Sequence, residues 1–327
     1  MNDEMLLHIK ALKVAFQMKN EESVVVDGVD LSVGKGETVA IIGESGSGKS
    51  ISSLSILGLL PKSGKVKGGS IHFDGKNLLQ LPKKEMEQVR GKGISMIFQD
   101  AMVSLNPAFK IGRQITEGLR YHKIVKPNQL KEEVLRLLAA VGFQNPAEIY
   151  DDYPAQLSGG MKQRALIAMA ISCNPKLIIA DEPTTALDVT IQKQIMELLM
   201  DYKKKTDASI LLITHDFGLV AEYADRVYVM FGGKIVEAGD VFTIFDHPIH
   251  TYTKGLMNGI PNISEPKERL LTIKDFAYED KGYEGRTFAP ETLSLAQKSY
   301  HAPSELVEVE PGHFVRFFKE KAEAVGH

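Results

Sequence analysis

Gly43-Glu44-Ser45-Gly46-Ser47-Gly48-Lys49-Ser50 stands between a short apolar run and a helical pattern. It fits G-x-x-x-x-G-K-[S/T], a loop whose glycines let the backbone curl so that successive N–H groups converge on phosphate oxygens. A helix opening at the loop's end adds the positive end of its dipole. The flanks agree with this. Glu37 to Ile42 is a short apolar run that predicts a strand, and Lys49 to Leu60 carries a helical pattern. Strand, glycine loop and helix in this order belong to an α/β domain with a largely parallel sheet. Lys49 supplies a point charge for β- and γ-phosphates, and the Ser50 hydroxyl suits Mg²⁺.

Further strands follow on either side. Leu7 to Phe16 alternates with period two, and apolar runs recur at Ile94 to Phe98, Leu177 to Ala180 and Ile210 to Thr214. Gln99 to Arg164 is helix-rich. One helix there has Asn128 as its expected cap, Leu130, Val134, Leu137, Leu138 and Val141 as its apolar stripe, and Gly142 as its stop. Beyond about Gly239 the pattern weakens and prolines recur at 248, 261, 266, 290, 303 and 311. The expected organisation is a core from residues 1–98 and 165–240, a helical insertion at 99–164 and a separate appendage at 241–327.

The run Leu177-Ile178-Ile179-Ala180 ends in Asp181-Glu182, two acids at the sheet's C-terminal edge. Asp181 is placed to hold the metal, and Glu182 to polarise a water for attack on a γ-phosphate. The expected ligands are ATP and Mg²⁺.

Bulk properties exclude several alternatives. Thirty-nine basic residues against 42 acidic leave a formal charge of −3, which provides no field for nucleic acid. Lys203-Lys204-Lys205 reads as solvated helix surface. One cysteine, Cys173, allows no internal disulfide and no cysteine-built metal site. Met1 to Lys10 lacks the basic-then-apolar pattern of a signal peptide, and Asn262-Ile263-Ser264 reads as a chance sequon. No apolar run reaches the roughly 18 to 20 residues of a membrane span. If the protein works at a membrane, other subunits cross it.

Leu157-Ser158-Gly159-Gly160-Met161-Lys162-Gln163-Arg164, ahead of the helical run Ala165 to Ser172, supplies a second candidate anion site at a helix start. With the glycine loop and Asp181-Glu182, it resembles the signature of ATP-binding cassette ATPases, over about Leu7 to Gly239. Gln99 matches the Q-loop, Ala186-Leu187-Asp188 the D-loop, and His215 in Thr214-His215-Asp216 the switch histidine. The resemblance implies a phosphate-loop core with an antiparallel N-terminal β-subdomain. It also implies two cassettes paired head to tail, with ATP between one chain's loop and the other's signature. Ser158, Gly159 and Gly160 then face the partner's nucleotide, while Gln99 and His215 act on this chain's own and Gln99 joins Ser50 and Asp181 at the metal. Phe16 matches the aromatic that stacks on adenine, a contact worth about 1–3 kcal/mol by analogy with base–aromatic stacking. Ile51 stands where many cassettes have threonine, so its backbone N–H serves the α-phosphate. Met161 replaces a common glutamine.

Phe98-Gln99-Asp100 with Ser104-Leu105-Asn106-Pro107, Tyr153-Pro154, His247-Pro248, Thr251 to Leu256, Ile260-Pro261 and Pro311-Gly312-His313 are similar to ATPase subunits of oligopeptide, dipeptide or nickel importers. The likeness is greatest to the type that pairs with a second, non-identical ATPase. It implies two transmembrane permease subunits, an external substrate-binding protein reached through them, and a peripheral place on the cytoplasmic face of the membrane. The Gln99 to Pro107 segment is expected to couple the nucleotide to the permeases. Many such subunits hold an iron–sulfur cluster on tail cysteines, and this tail has none, so no cluster is expected. Nickel import and a detached-cassette exporter remain the alternatives.

Overall fold

The structure is a computed structural model that describes residues 5–18, 21–100, 104–185, 187–258, 283, 286 and 304–318. Ala186, Ile260-Pro261 and the Asn262 sequon lie outside the described residues. Twelve described strands form two sheets. Strands β1 (Met5–Met18), β2 (Glu21–Gly34), β4 (Gly64–Phe73) and β5 (Lys76–Asn77) make an antiparallel sheet in the order β2-β1-β4-β5. The period-two reading of β1 is interrupted at a bulge, where Ala11 takes φ 48° and the register shifts between Lys10 and Lys13.

The second sheet has eight strands. Strands β3 (Thr38–Ile42), β6 (Ile94–Ile97), β7 (Leu177–Asp181), β8 (Ser209–Ile213) and β9 (Arg226–Phe231) run parallel in the order β9-β3-β8-β7-β6. Both faces of these strands are covered, which explains the unbroken apolar runs. On β7 and β8, Leu177, Ile179, Leu211 and Ile213 enter the core shared with the antiparallel sheet. Ile178, Ala180, Ile210 and Leu212 enter the core under the helices. Each such buried leucine or isoleucine side chain contributes about 1.5–3 kcal/mol.

Helix α1 (Lys49–Ile56) follows β3, and α2 (Lys83–Val89) precedes β6. Four helices then form the insertion: α3 (Ile111–Tyr121), α4 (Leu130–Ala140), α5 (Pro146–Asp151) and α6 (Gly159–Ile171). The stripe Leu130, Val134, Leu137, Leu138 and Val141 is buried in full. Gly142 ends α4 with paired bonds from its own N–H to Ala139 O (2.9 Å) and from Phe143 N–H to Leu138 O (3.1 Å). Asn128 does not cap α4. It sits in a 3₁₀ turn, Pro127–Gln129, and no side chain caps the helix. Proline at the head of that turn presets its φ, so the chain enters the helix through the turn rather than from an Asn cap.

Helices α7 (Val189–Thr206) and α8 (Phe217–Tyr223) flank β8. Lys203 departs from the reading of a solvated lysine run. Its Nζ donates to Thr38 Oγ1 at 2.8 Å and approaches Asp225 Oδ2 at 3.2 Å, tying α7 to the central sheet, while Lys204 and Lys205 are exposed.

Strand β10 (Lys234–Asp240) pairs antiparallel with β9, and α9 (Val241–Asp246) and α10 (Thr251–Asn258) follow. Strands β11 (Ser304–Glu310) and β12 (His313–Phe318) form a hairpin whose β12 pairs with β10. This part of the tail continues the core sheet instead of standing apart. A buried polar cluster fastens it. Glu237, fully buried, accepts from the N–H groups of Ile249 (2.7 Å) and His250 (3.2 Å), and His313 Nε2 lies 2.8 Å from its Oε1. Arg316 Nε donates to Ile235 O. These bonds join groups 12 to 81 positions apart in sequence, so no local pattern announces them.

His250 is fully buried, and its imidazole accepts from Tyr252 N–H through Nδ1. Burial, with Arg316 and Lys254 adding to it, drives its pKa down to about 3. The unfolded chain takes up this proton below about pH 6.5 and the folded chain does not, so stability falls as pH drops from about 6.5 toward 3. The slope amounts to about 1.4 kcal/mol per pH unit at most. Thermal unfolding at pH 7.5 and 5.5 is expected to show this loss for the native chain and a shallower one for His250→Asn. Equal slopes would refute the assignment.

Candidate active site

The parallel sheet brings the candidate residues to one edge. Ile41 is in register with Ile213, Ile213 with Asp181, and Ala180 with Ile97. Gly43, His215, Glu182 and Gln99 therefore each lie within two residues of a strand end on the same side. Adjacent strands are about 4.8 Å apart, so the edge presents all four within a single nucleotide's span.

The loop after β3 is shaped by its neighbours. Gly43 adopts φ 151°, and a Cβ there would meet Met230 O at 2.1 Å, so only glycine lets the loop pass β9. Ser47 O accepts from Gly233 N–H at 3.0 Å, which fixes the loop's second half to the same hairpin. Glu44, Ser45 and Gly46 form the exposed crest. Gly48 stands at the N-cap of α1 and no side chain caps that helix end. Lys49 is buried, and its Nζ donates to Gly43 O (2.7 Å) and Glu44 O (2.8 Å). Burial lowers its pKa, opposed by the charges of Glu182, Asp181 and Glu44.

Ser50 Oγ donates to Asp181 Oδ1 at 3.1 Å, so two of the three candidate metal ligands already meet. Asp181 is buried, and its pKa is raised by burial despite the Ser50 hydrogen bond. A buried carboxylate beside a hydroxyl is an oxygen donor set that suits a hard cation such as Mg²⁺.

Glu182 takes φ 47°, and its N–H donates to Ile213 O at 2.8 Å. Three neighbours hold the carboxylate. Gln99 Nε2 and Thr185 Oγ1 each donate to Oε2 at 2.8 Å, and His215 Nδ1 lies 3.4 Å from Oε1. With its Nε2 so engaged, the Gln99 side chain leaves Oε1 as an acceptor. Thr185 was not among the candidates read from sequence. Its place three residues after Glu182, in the turn closed by Thr185 N–H to Glu182 O, is the signal that could have found it.

The other candidates lie apart from this cluster. Phe16, half-buried, covers Gly64, whose added Cβ would meet the ring at 2.8 Å. Ile51 packs into the core below α1. Ser158 caps α6, its Oγ accepting from Met161 N–H at 3.4 Å. Gly159 is exposed, and Gly160 approaches Ile191 so closely that a Cβ would come within 3.0 Å of it. Asp188 caps α7, accepting from Ile191 N–H at 3.0 Å, and Val189 beside it is 82% exposed. Among the described residues, no hydrogen bond or ion pair joins Ser158, Gly159 or Gly160 to the phosphate loop. In the segment after Gln99, Leu105 is buried in the insertion's core while Asn106 is exposed.

Comparison with known proteins bears on the family and the fold. The family described as ABC transporter matches residues 26–185, and that described as oligopeptide/dipeptide transporter, C-terminal region, matches residues 236–291. The oligopeptide transport ATP-binding protein AppD of Bacillus subtilis is 48% identical over 96% of this chain and 96% of its own. The dipeptide transport ATP-binding protein DppD of Escherichia coli is 47% identical over 82% of each. Among solved structures, the ATP-binding cassette MJ0796, a dimer in a post-hydrolysis state bound to ADP and Pi, superposes with a TM-score of 0.65. It is 26% identical, over 72% of this chain and 98% of its own. No helix among the described residues is long and apolar enough to cross a membrane. With 48% identity across nearly its full length, the chain belongs to the ABC transporter ATP-binding proteins, in the branch that carries the oligopeptide/dipeptide transporter C-terminal region.

Proposed function

We propose that this chain is the ATP-binding and hydrolysing subunit that energises import of oligopeptides or dipeptides through separate membrane subunits. The observation that carries the ATPase reading is the Glu182 carboxylate, held by Gln99, Thr185 and His215 next to the Ser50–Asp181 pair. The loop from Gly43 to Ile51 receives the phosphates on N–H groups other than that of Glu44, which the Tyr252 hydroxyl holds, and the Lys49 ammonium turns from its two carbonyl partners toward the β- and γ-phosphate oxygens. Ser50 Oγ, Asp181 and the Gln99 carbonyl would hold Mg²⁺, which supplies neutralising charge to the phosphates when bound. Glu182 takes the proton of the attacking water at Oε1, the oxygen that neither Gln99 nor Thr185 occupies. His215, two-thirds exposed and 3.4 Å from that same Oε1, is placed to meet the γ-phosphate beside the attacking water. Phe16 stacks on the adenine.

Ser158, Gly159 and Gly160 serve a second subunit. The exposure of Ser158 and Gly159 and the separation of all three from this chain's own loop support a head-to-tail pair of cassettes in which Asp188 and Val189 line the interface. The partner is a homologous, non-identical ATPase, and two permeases receive the segment from Gln99 to Pro107. The chain is then peripheral, at the cytoplasmic face of the membrane. Peptide as cargo is supported by relatives named for oligopeptide and dipeptide transport. Cells lacking the chain are expected to lose uptake of labelled di- and oligopeptides with nickel uptake unchanged. Loss of nickel uptake alone would overturn the cargo.

Glu182→Gln is expected to keep ATP binding and to lower turnover by about 10²–10⁴, the range for losing a general base. A loss under about threefold, measured with the partner present, would refute the role. Ser158→Arg places charge and bulk at the signature, so turnover of the paired complex should fall while nucleotide affinity of the isolated chain stays within about twofold. A matching loss of affinity in the isolated chain would mean that the signature serves its own loop.

A further inference from the structure

Tyr252 lies in α10, more than 200 positions from the phosphate loop, and its side chain is fully buried. Its hydroxyl accepts a hydrogen bond from Glu44 N–H at 3.0 Å. The Glu44 N–H and the Gly43 C=O belong to one peptide unit, which is planar and trans, so the two groups point in opposite directions. On the opposite side of that unit, Gly43 O receives Lys49 Nζ at 2.7 Å. Rotation of this peptide would carry the carbonyl away from the ammonium, and Gly43 has no Cβ to resist it. The tyrosine ring is itself held. It packs against Phe231 with centroids 4.4 Å apart, and its backbone N–H donates to His250 Nδ1 at 3.2 Å. Burial raises the pKa of the phenol, so the oxygen facing Glu44 carries no charge at any working pH.

We propose that Tyr252 is a positioning residue for Lys49: by fixing the 43–44 peptide it sets where the ammonium waits for the phosphates. This inference rests on the ATP-binding reading above. It assigns the C-terminal region a part in the nucleotide site, which the phosphate-loop pattern does not include.

The test uses the full chain and Tyr252→Phe, which removes one oxygen and keeps the ring. ADP affinity is titrated, and the acylation rate of Lys49 in the nucleotide-free chain is compared with that of Lys203, an engaged lysine on α7. The expected result is a roughly 3- to 10-fold loss of ADP affinity, the size of one hydrogen bond's net contribution. Lys49 labelling should rise at least threefold while Lys203 labelling stays constant. ADP affinity within twofold of native overturns the proposal. So does a loss of affinity with Lys49 labelling unchanged, or with both lysines labelled faster, since either marks a merely structural role. If the variant does not fold, hydrogen exchange in the native chain decides. Exchange at Glu44 at least tenfold slower than at Ser45 and Gly46 supports the hydrogen bond, and equal rates overturn it. Failure of the native chain to bind ADP would strike the ATPase reading instead, and the labelling and exchange results would still decide the role of Tyr252.

Discussion

The hydrogen bond from Ser50 to Asp181 depends on a single constraint, the parallel direction of β3, β8 and β7. Parallel strands end on the same edge, and their register sets which residues emerge together. A slip of one position on β7 would turn Asp181 to the opposite face and bury Glu182 in its place. The alternating core enforces the register, because Leu177 and Ile179 face one layer while Ile178 and Ala180 face the other. Packing chemistry far from the edge thus fixes the geometry of the edge.

The same edge concentrates charge that the fold must tolerate before any ligand arrives. Lys49, Asp181, Glu182 and Glu44 lie near one another, and burial acts on them in opposite senses. It depresses the lysine and raises Asp181, while their mutual attraction offsets part of each shift. The chain meets this cost with hydrogen bonds that are replaceable. Carbonyls of Gly43 and Glu44 hold Lys49, a hydroxyl holds Asp181, and an amide and a hydroxyl hold Glu182. Such partners can be exchanged for phosphate oxygens or a cation without unfolding the site.

Much of this was legible in the sequence because its signals are local. The glycine loop reports its own backbone, the Leu177–Ala180 run reports a strand buried on both faces, and Ser158-Gly159-Gly160 reports a helix start. What escaped depends on distant partners or on competing local geometry. Lys203 reads as a surface lysine until Thr38 and Asp225 are placed beside it. Asn128 reads as a cap until the 3₁₀ turn opened by Pro127 takes it out of position. Glu237 carries no signal in the sequence, yet it is fully buried among the N–H groups of Ile249 and His250 and the ring of His313. Tyr252 reads only as part of a stretch similar to importer subunits, since no periodicity connects it to Glu44.

Those distant bonds form a continuous path. His313 in the C-terminal hairpin meets Glu237, Glu237 accepts from His250 N–H, His250 accepts from Tyr252 N–H, and the Tyr252 hydroxyl accepts from Glu44 N–H. Every link is buried or part-buried, so leaving one unmade would strand a polar group away from water at a cost of about 1–3 kcal/mol. That penalty favours all links forming together over any subset. The hairpin on β10 and the phosphate loop after β3 are therefore ordered by one polar network that crosses β9. The tail is, in physical terms, part of the wall against which the nucleotide loop is set.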